Sequence, residues 1–274
     1  MTRVAGEQRV AVSDRGLNYG DGLFETMRVW QGRIPLLSRH LDRMEHGLRC
    51  LAFPGPDREA LERCVARALA EAPSGGGVLK LLVTRGDGGR GYAPPERAEP
   101  RLLATLHALP PQPDTVTVLG IQAGRCRTIL GRNPMLAGLK HLCRLEQVLG
   151  AAEVSRAGWH EGVMCDEDGS VVEGTRTNVF MSRDGVLITP DLDAAGVAGV
   201  LRGRILERVS EAGDALEIRR VDYDELMSAD EVFFANSVVG LWPVAALGAA
   251  RWQNFPVCRR LAAGLAAEGL PWLA

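Results

Sequence analysis

Residues 133–150 read NPMLAGLKHLCRLEQVLG, a run in which Leu136, Leu139, Leu142, Leu145 and Leu149 recur at steps of three and four. That spacing predicts one apolar helical face with Lys140 at its edge, and a helix that runs on to about Arg156. A lysine in such a place has two readings. In one, its methylenes pack and its ammonium reaches water. In the other, it is a reactive amine held against an apolar pocket, where partial desolvation favours the neutral, nucleophilic form. The remainder of the chain has to choose between them.

The bulk properties narrow the choice. With 274 residues the chain has enough material for one large domain or two modest ones. An apolar fraction of 46%, a charged fraction of 24% and a formal net charge of −2 describe a soluble globular protein without an electrostatic footprint for nucleic acid. The opening MTRVAGEQRV has no apolar signal core, which points away from secretion and towards the cytoplasm. Cys50, Cys64, Cys126, Cys143, Cys165 and Cys258 form no C-x-x-C pair, and the five histidines are equally dispersed. Neither a metal site nor a disulfide framework follows, and free thiols in a reducing compartment are the simplest reading. Residues 232–250, VFFANSVVGLWPVAALGAA, are long enough to tempt a membrane-spanning reading. Asn236, Ser237 and Pro243 argue instead for a buried strand, a loop and a second apolar stretch.

Along the chain, GLFETMRVWQGRIPLL predicts two strands around a Gln31-Gly32 turn, and Ser38 is a candidate cap for the next helix. Asp57 is a candidate cap for a further helix through about Ala72. GVLKLLVT and RLLATLHAL read as strands. The stretch LPPQPD, 109–114, is the linker candidate, so that an N-terminal subdomain spans 1–108 and a cofactor-binding subdomain 115–274. Beyond it TVTVLGIQA reads as a strand. The Lys140 helix, four strands with turns at DEDG and RDG, a helix from about Val197 to Ala212, a strand, a short helix, a further strand and a C-terminal helix follow. Strands and helices mingle without regular βαβ alternation, which predicts α+β in two subdomains of mixed sheet and helices.

Two glycine-marked stretches invite phosphate chemistry. TRGDGGRGY places Gly86, Gly88 and Gly91 in G-x-G-x-x-G spacing after a strand, but Pro94, Pro95 and Pro100 deny the helix that a dinucleotide fold needs there. What is left is a loop whose Arg85 and Arg90 are available to grip carboxylates. DAAGVAGVLRGRILERV places Gly196 and Gly199 where a helix begins, so that the amides of Val200 and Leu201 make a candidate phosphate seat. With Lys140 for a Schiff base and Glu173 for a carboxylate facing a pyridine nitrogen, the inventory suits pyridoxal phosphate. Spacing alone does not bring the three together.

The ordered blocks SDRGLNYGDGLFETMRV, LLSRHLDRM, LKHLCRLEQVLG, EGTRTNVF, LITPDLDAAGVAGVLR and ADEVFFANSVVGLWPV resemble the fold-type IV pyridoxal-phosphate enzymes over nearly the whole chain. That group includes branched-chain and D-amino-acid aminotransferases and the aminodeoxychorismate lyases. TRGDGGRGY and GLKHLCRLEQVLG are most similar to the lyases, whereas EGTRTNVF resembles the transaminases as much. The resemblance implies that Lys140 carries the cofactor and moves protons. It implies that Arg43, the amides of Val200 and Leu201 and the hydroxyl of Ser237 hold the phosphate, and that Glu173 meets the ring nitrogen. Tyr19, Phe24, Lys80 and Arg90 are implied to line the substrate side. Cys143 departs from the asparagine that the lyases commonly carry. The implied activity is conversion of 4-amino-4-deoxychorismate to 4-aminobenzoate and pyruvate on the way to folate, in a homodimer. Its alternatives are an aminotransferase and, more remotely, a non-catalytic cofactor-binding protein.

Overall fold

The computed structural model describes residues 3–4, 9–72, 76–88, 91–112 and 115–270. The chain forms two compact units, one of residues 1–110 with 139–143, the other of residues 111–138 with 144–274. Arg90, and residues 113 and 114 of the expected linker, lie outside the described residues.

The first unit contains β1 (Arg3–Val4), α1 (Arg15–Tyr19), β2 (Gly22–Val29), α2 (Leu37–Cys50), α3 (Arg58–Ala70), β3 (Gly77–Thr84) and β4 (Arg101–His107). Its antiparallel sheet has the order β1-β4-β3-β2. Alternate residues of β2 divide between two faces, as the pleat requires. Leu23, Glu25, Met27 and Val29 are buried, while Phe24, Thr26 and Arg28 are half-buried. The buried face packs with Leu41 and Met44 of α2, Leu61 and Val65 of α3, and Leu79 and Leu81 of β3.

Two expectations are corrected here and a third is met. The residues after the Gln31-Gly32 turn form no second strand. Gln31 and Gly32 both take left-handed φ, at 48° and 74°, and close a tight turn that pairs Trp30 with Arg33. Ser38 lies inside α2 rather than capping it, and its hydroxyl accepts from Arg58 at 2.9 Å. Asp57 does cap α3, accepting from the amide of Ala60 at 2.7 Å.

The second unit contains α4 (Val116–Leu119), β5 (Ile121–Leu130), α5 (Leu145–Ala157), β6 (Glu161–Asp166), β7 (Ser170–Gly174), β8 (Asn178–Arg183), β9 (Val186–Pro190) and α6 (Val200–Glu211). It continues with β10 (Leu216–Arg219), β11 (Val221–Asp222), α7 (Tyr223–Met227), β12 (Glu231–Asn236), β13 (Gly240–Leu247), β14 (Ala250–Arg251) and α8 (Pro256–Ala267). Ten strands form one mixed sheet in the order β10-β9-β8-β12-β13-β5-β6-β7-β11, with β14 on β13. Residues 232–250 divide between β12, a turn, β13 and β14, and no described helix is long and apolar enough to cross a membrane. The single strand expected at TVTVLGIQA is instead the short α4, then Gly120 at φ 74°, then β5.

The helix expected through Lys140 does not exist. Asn133 starts a turn by accepting the amide of Met135 on its side chain and those of Leu136 and Ala137 on its carbonyl. Gly138 ends that turn at φ 79°, a conformation that a helix interior excludes. The chain then runs extended through Lys140, and α5 begins only at Leu145. The leucine spacing therefore spans a turn, an extended strip and a helix, and describes no common face. Leu139 is buried, whereas Leu145 and Leu149 are 77% and 57% exposed.

Candidate active site

In the first unit, Lys140 lies on a short strip laid along β2. Its carbonyl accepts the amide of Phe24 at 3.0 Å, Leu142 donates to the carbonyl of Gly22 at 3.0 Å, and His141 bridges Leu23 in antiparallel sense. The main chain from the lysine's own carbonyl to Leu142 is thus tied to a sheet strand, which fixes where its side chain starts. Lys140 Nζ stands 4.4 Å from the centre of the Phe24 ring, and Lys80 Nζ of β3 stands 5.1 Å from the same ring. Phe24, Lys80 and Lys140 are accordingly gathered by the fold around one aromatic side chain.

Arg43 lies on α2, whose inner face also carries His40. Glu25, only 1% exposed, faces both from β2. The Arg43 guanidinium grips this carboxylate with two donors, Nε to Oε1 at 2.8 Å and Nη2 to Oε2 at 2.6 Å. His40 Nδ1 stands 2.6 Å from Oε2. Burial pushes the Glu25 carboxyl up, but the charges of Arg43 and His40 and their hydrogen bonds overcome this and hold it down at about 2. Burial lowers His40 against the pull of Glu25, so the ring is neutral near pH 7 and its Nδ1–H donates to the carboxylate. His40 Nε2 then carries a buried lone pair with no hydrogen-bond partner among the described residues. Neither Glu25 nor His40 was legible as a site residue. Glu25 reads as one more inward position of an alternating strand, and the spacing that brings it to Arg43 is tertiary.

In the second unit, Glu173 is the last residue but one of β7 and a buried carboxylate. Its Oε2 accepts the amide of Val197 at 2.8 Å, and its Oε1 faces Gln147 Nε2 at 3.4 Å. Val197 is held on its other side too, since its carbonyl accepts from Asn178 Nδ2 at 2.9 Å, and Gly138 pairs with Gly196 and Ala198. Glu161, fully buried, secures the turn after Glu173 by accepting from the hydroxyls of Thr175 and Thr177 and from the Thr175 amide.

The loop so pinned delivers the start of α6. Gly196 has φ 87°, and a Cβ there would stand 2.7 Å from Leu192 and 2.8 Å from Val172. A Cβ on Gly199 would run into Asn178 Oδ1. Gly199 is the cap position of α6 and, having no side chain, offers no cap acceptor to the first-turn amides of Val200 and Leu201. A phosphate is an acceptor of the right charge for that place. Ser237 sits in the turn that Asn236 closes by accepting the amides of Val238 and Val239, both at 2.8 Å. The donor set of this unit therefore fits a phosphate at the α6 start, and its buried carboxylate fits a protonated ring nitrogen.

The remaining candidates are placed as follows. Tyr19 meets Tyr92 edge to face at 5.4 Å, and Arg15 lies over the Tyr19 ring. Arg15 also donates to the carbonyls of Gly91, Tyr92 and Ala93, fastening the glycine-rich loop. Arg85 is not available to grip a ligand. It is buried against Asp21 at 2.8 Å, the carbonyls of Leu51 and Ala52 and the Phe53 ring. Cys143 directs its thiol at the carbonyl of Tyr19, 3.4 Å away.

Known proteins share this arrangement of chain. The crystal structure of 4-amino-4-deoxychorismate lyase from Pseudomonas aeruginosa superimposes with a TM-score of 0.90 at 47% identity, covering 98% of this chain and 99% of that one. The aminodeoxychorismate lyase of Vibrio harveyi is 34% identical over 92% of this chain and 92% of its own. The D-alanine aminotransferase of Bacillus licheniformis is 27% identical over 88% of this chain and 84% of its own. Residues 22–247, which carry the Lys140 strip, Arg43, Glu173 and the α6 start, match the amino-transferase class IV family, and the chain belongs to that family.

Proposed function

We propose that this protein is an aminodeoxychorismate lyase that converts 4-amino-4-deoxychorismate to 4-aminobenzoate and pyruvate. The observation that carries the reading is Lys140, its main chain tied to β2 and its amine against Phe24, in a chain so similar to the lyases of Pseudomonas aeruginosa and Vibrio harveyi. Pyridoxal phosphate, the cofactor of the class IV family, supplies a ring that stabilises negative charge on the carbon next to the substrate nitrogen. Lys140 Nζ would hold it and would take the proton from that carbon. As the ether C–O bond breaks, the enolpyruvyl methylene gains a proton, and the carbocycle becomes aromatic. No water, oxidant or 2-oxo acid is consumed.

In this reading Arg43, aimed by Glu25, holds the phosphate together with the Val200 and Leu201 amides and the Ser237 hydroxyl. Glu173 keeps the ring nitrogen protonated. Tyr19, Phe24 and Lys80 line the substrate side, where a cation suits a substrate with two carboxylates. We place the enzyme in the cytoplasm as a homodimer, with 4-aminobenzoate feeding folate synthesis. Six free cysteines and a row of exposed apolar residues on α5 support those assignments.

The test is to incubate cofactor-loaded protein with enzymatically generated aminodeoxychorismate and to measure both products. Equimolar 4-aminobenzoate and pyruvate without added 2-oxo acid is the expected result. The second reading is an aminotransferase, favoured by the similarity to D-alanine aminotransferase. It predicts no product release, and a cofactor absorbance bleached by D-alanine or a branched-chain amino acid and restored by a 2-oxo acid.

A further inference from the structure

Gln147, the third residue of α5, lies beside Glu173 in an arrangement that costs the fold something. Its Nε2 points to Glu173 Oε1, and its own Oε1 is left buried without a hydrogen-bond partner among the described residues. Turning the amide over would set its oxygen against a carboxylate oxygen, a repulsive contact. The amide therefore presents its N–H to Glu173 even though a buried carbonyl oxygen goes unsatisfied, which ordinarily destabilises a fold.

A buried carboxylate is fixed in place, and made a weaker base, by each N–H that donates to it. For Glu173 one such donor is the Val197 amide, which comes from the loop leading to α6, and Gln147 is another on the opposite oxygen. The main-chain donor survives any change of side chain, whereas the Gln147 donor is a choice of sequence. We propose that Gln147 is a positioning residue that aims Glu173 and lowers its basicity, so that the proton shared between this carboxylate and the cofactor's ring nitrogen resides on the nitrogen. The proposal rests on the assignment of Glu173 to that nitrogen. Its consequence is control of how strongly the ring withdraws electrons, exerted by a side chain that acts through Glu173.

The test uses protein reconstituted with cofactor labelled at the ring nitrogen, read by nuclear magnetic resonance. Wild type is expected to give a protonated-pyridine resonance. Gln147→Met, close in shape and lacking both polar atoms, should shift it towards the unprotonated value and lower kcat about tenfold, with KM nearly unchanged. The apoprotein of that variant should melt within about 3 °C of wild type, because the buried orphan oxygen is removed along with the lost donor. A purely structural role would lower the melting temperature and leave the resonance in place. Should Gln147→Met fold poorly, Gln147→Leu provides the same reading. A wild-type resonance in both variants, alongside a shifted one in Glu173→Gln, overturns the role of Gln147. An unshifted resonance in Glu173→Gln overturns the assignment of Glu173 itself.

Discussion

Removing the Lys140 amine tests the reading at its centre, since Lys140→Ala keeps the extended strip on β2 but leaves no group to bind the cofactor covalently or move the proton. Turnover should fall to background while the circular dichroism spectrum stays that of wild type. Near-normal product release would exclude the mechanism. Glu25 offers a second test with a defined sign. Its carboxyl is held at about 2 against an ordinary 4.5, so the folded chain binds this proton less tightly than the unfolded chain. The resulting stabilisation is complete above about pH 4.5 and is lost as pH falls to about 2; its size is on the order of 3 kcal/mol. Urea midpoints should therefore drop more steeply through that window in wild type than in Glu25→Gln. The same substitution releases one side of the Arg43 clamp, and cofactor affinity at pH 7 should fall about tenfold in a fluorescence titration. Parallel pH profiles together with unchanged affinity would remove Glu25 from the phosphate-side machinery.

At the scale of the element, the start of α6 depends on backbone shape more than on any side chain. Gly196 is left-handed and tightly enclosed by Leu192 and Val172, and Gly199 leaves the helix start open beside Asn178. Gly196→Ala should destabilise the protein by about 1–3 kcal/mol in urea unfolding, because a Cβ is disfavoured there by both conformation and space. Gly199→Ala should weaken phosphate retention more than stability, read as faster cofactor loss on dialysis against phosphate buffer. Equal effects of the two substitutions on both measurements would argue against a specific role for the helix start. The Lys140 strip makes the same point from the other side. Its ends are determined by Gly138 and by pairing to Phe24 and Gly22, so its conformation is imposed by neighbours far away in sequence.

For the whole molecule, α5 carries Leu145, Val148 and Leu149 largely exposed, at positions one turn apart on the same helix. An apolar row of this kind is costly on a free surface and is usual at a contact between copies. Sedimentation velocity should give twice the chain mass, and Leu145→Glu with Leu149→Glu should shift the protein towards monomer. A monomeric wild type at micromolar concentration would refute the homodimer.

Much was determined by the sequence on its own. The β3 and β4 strands follow from short runs rich in β-branched and aliphatic residues, and α3 from the Asp57 cap. The absence of a helix after Gly91 follows from the prolines at 94, 95 and 100, and membership of the class IV family from ordered blocks along nearly the whole chain. These are properties of local conformational preference, or of residues recognisable wherever they lie. The conformation of Lys140, the pairing of Glu25 and His40 with Arg43, the burial of Arg85 and the orientation of Gln147 were decided only by tertiary structure. The leucine spacing around Lys140 was a local signal that pointed to a helix, and Gly138 together with sheet pairing outweighed it. A carboxylate, an arginine or an amide carries no mark in sequence of the partner it will meet, because that partner is set by how strands and helices pack and not by their spacing along the chain.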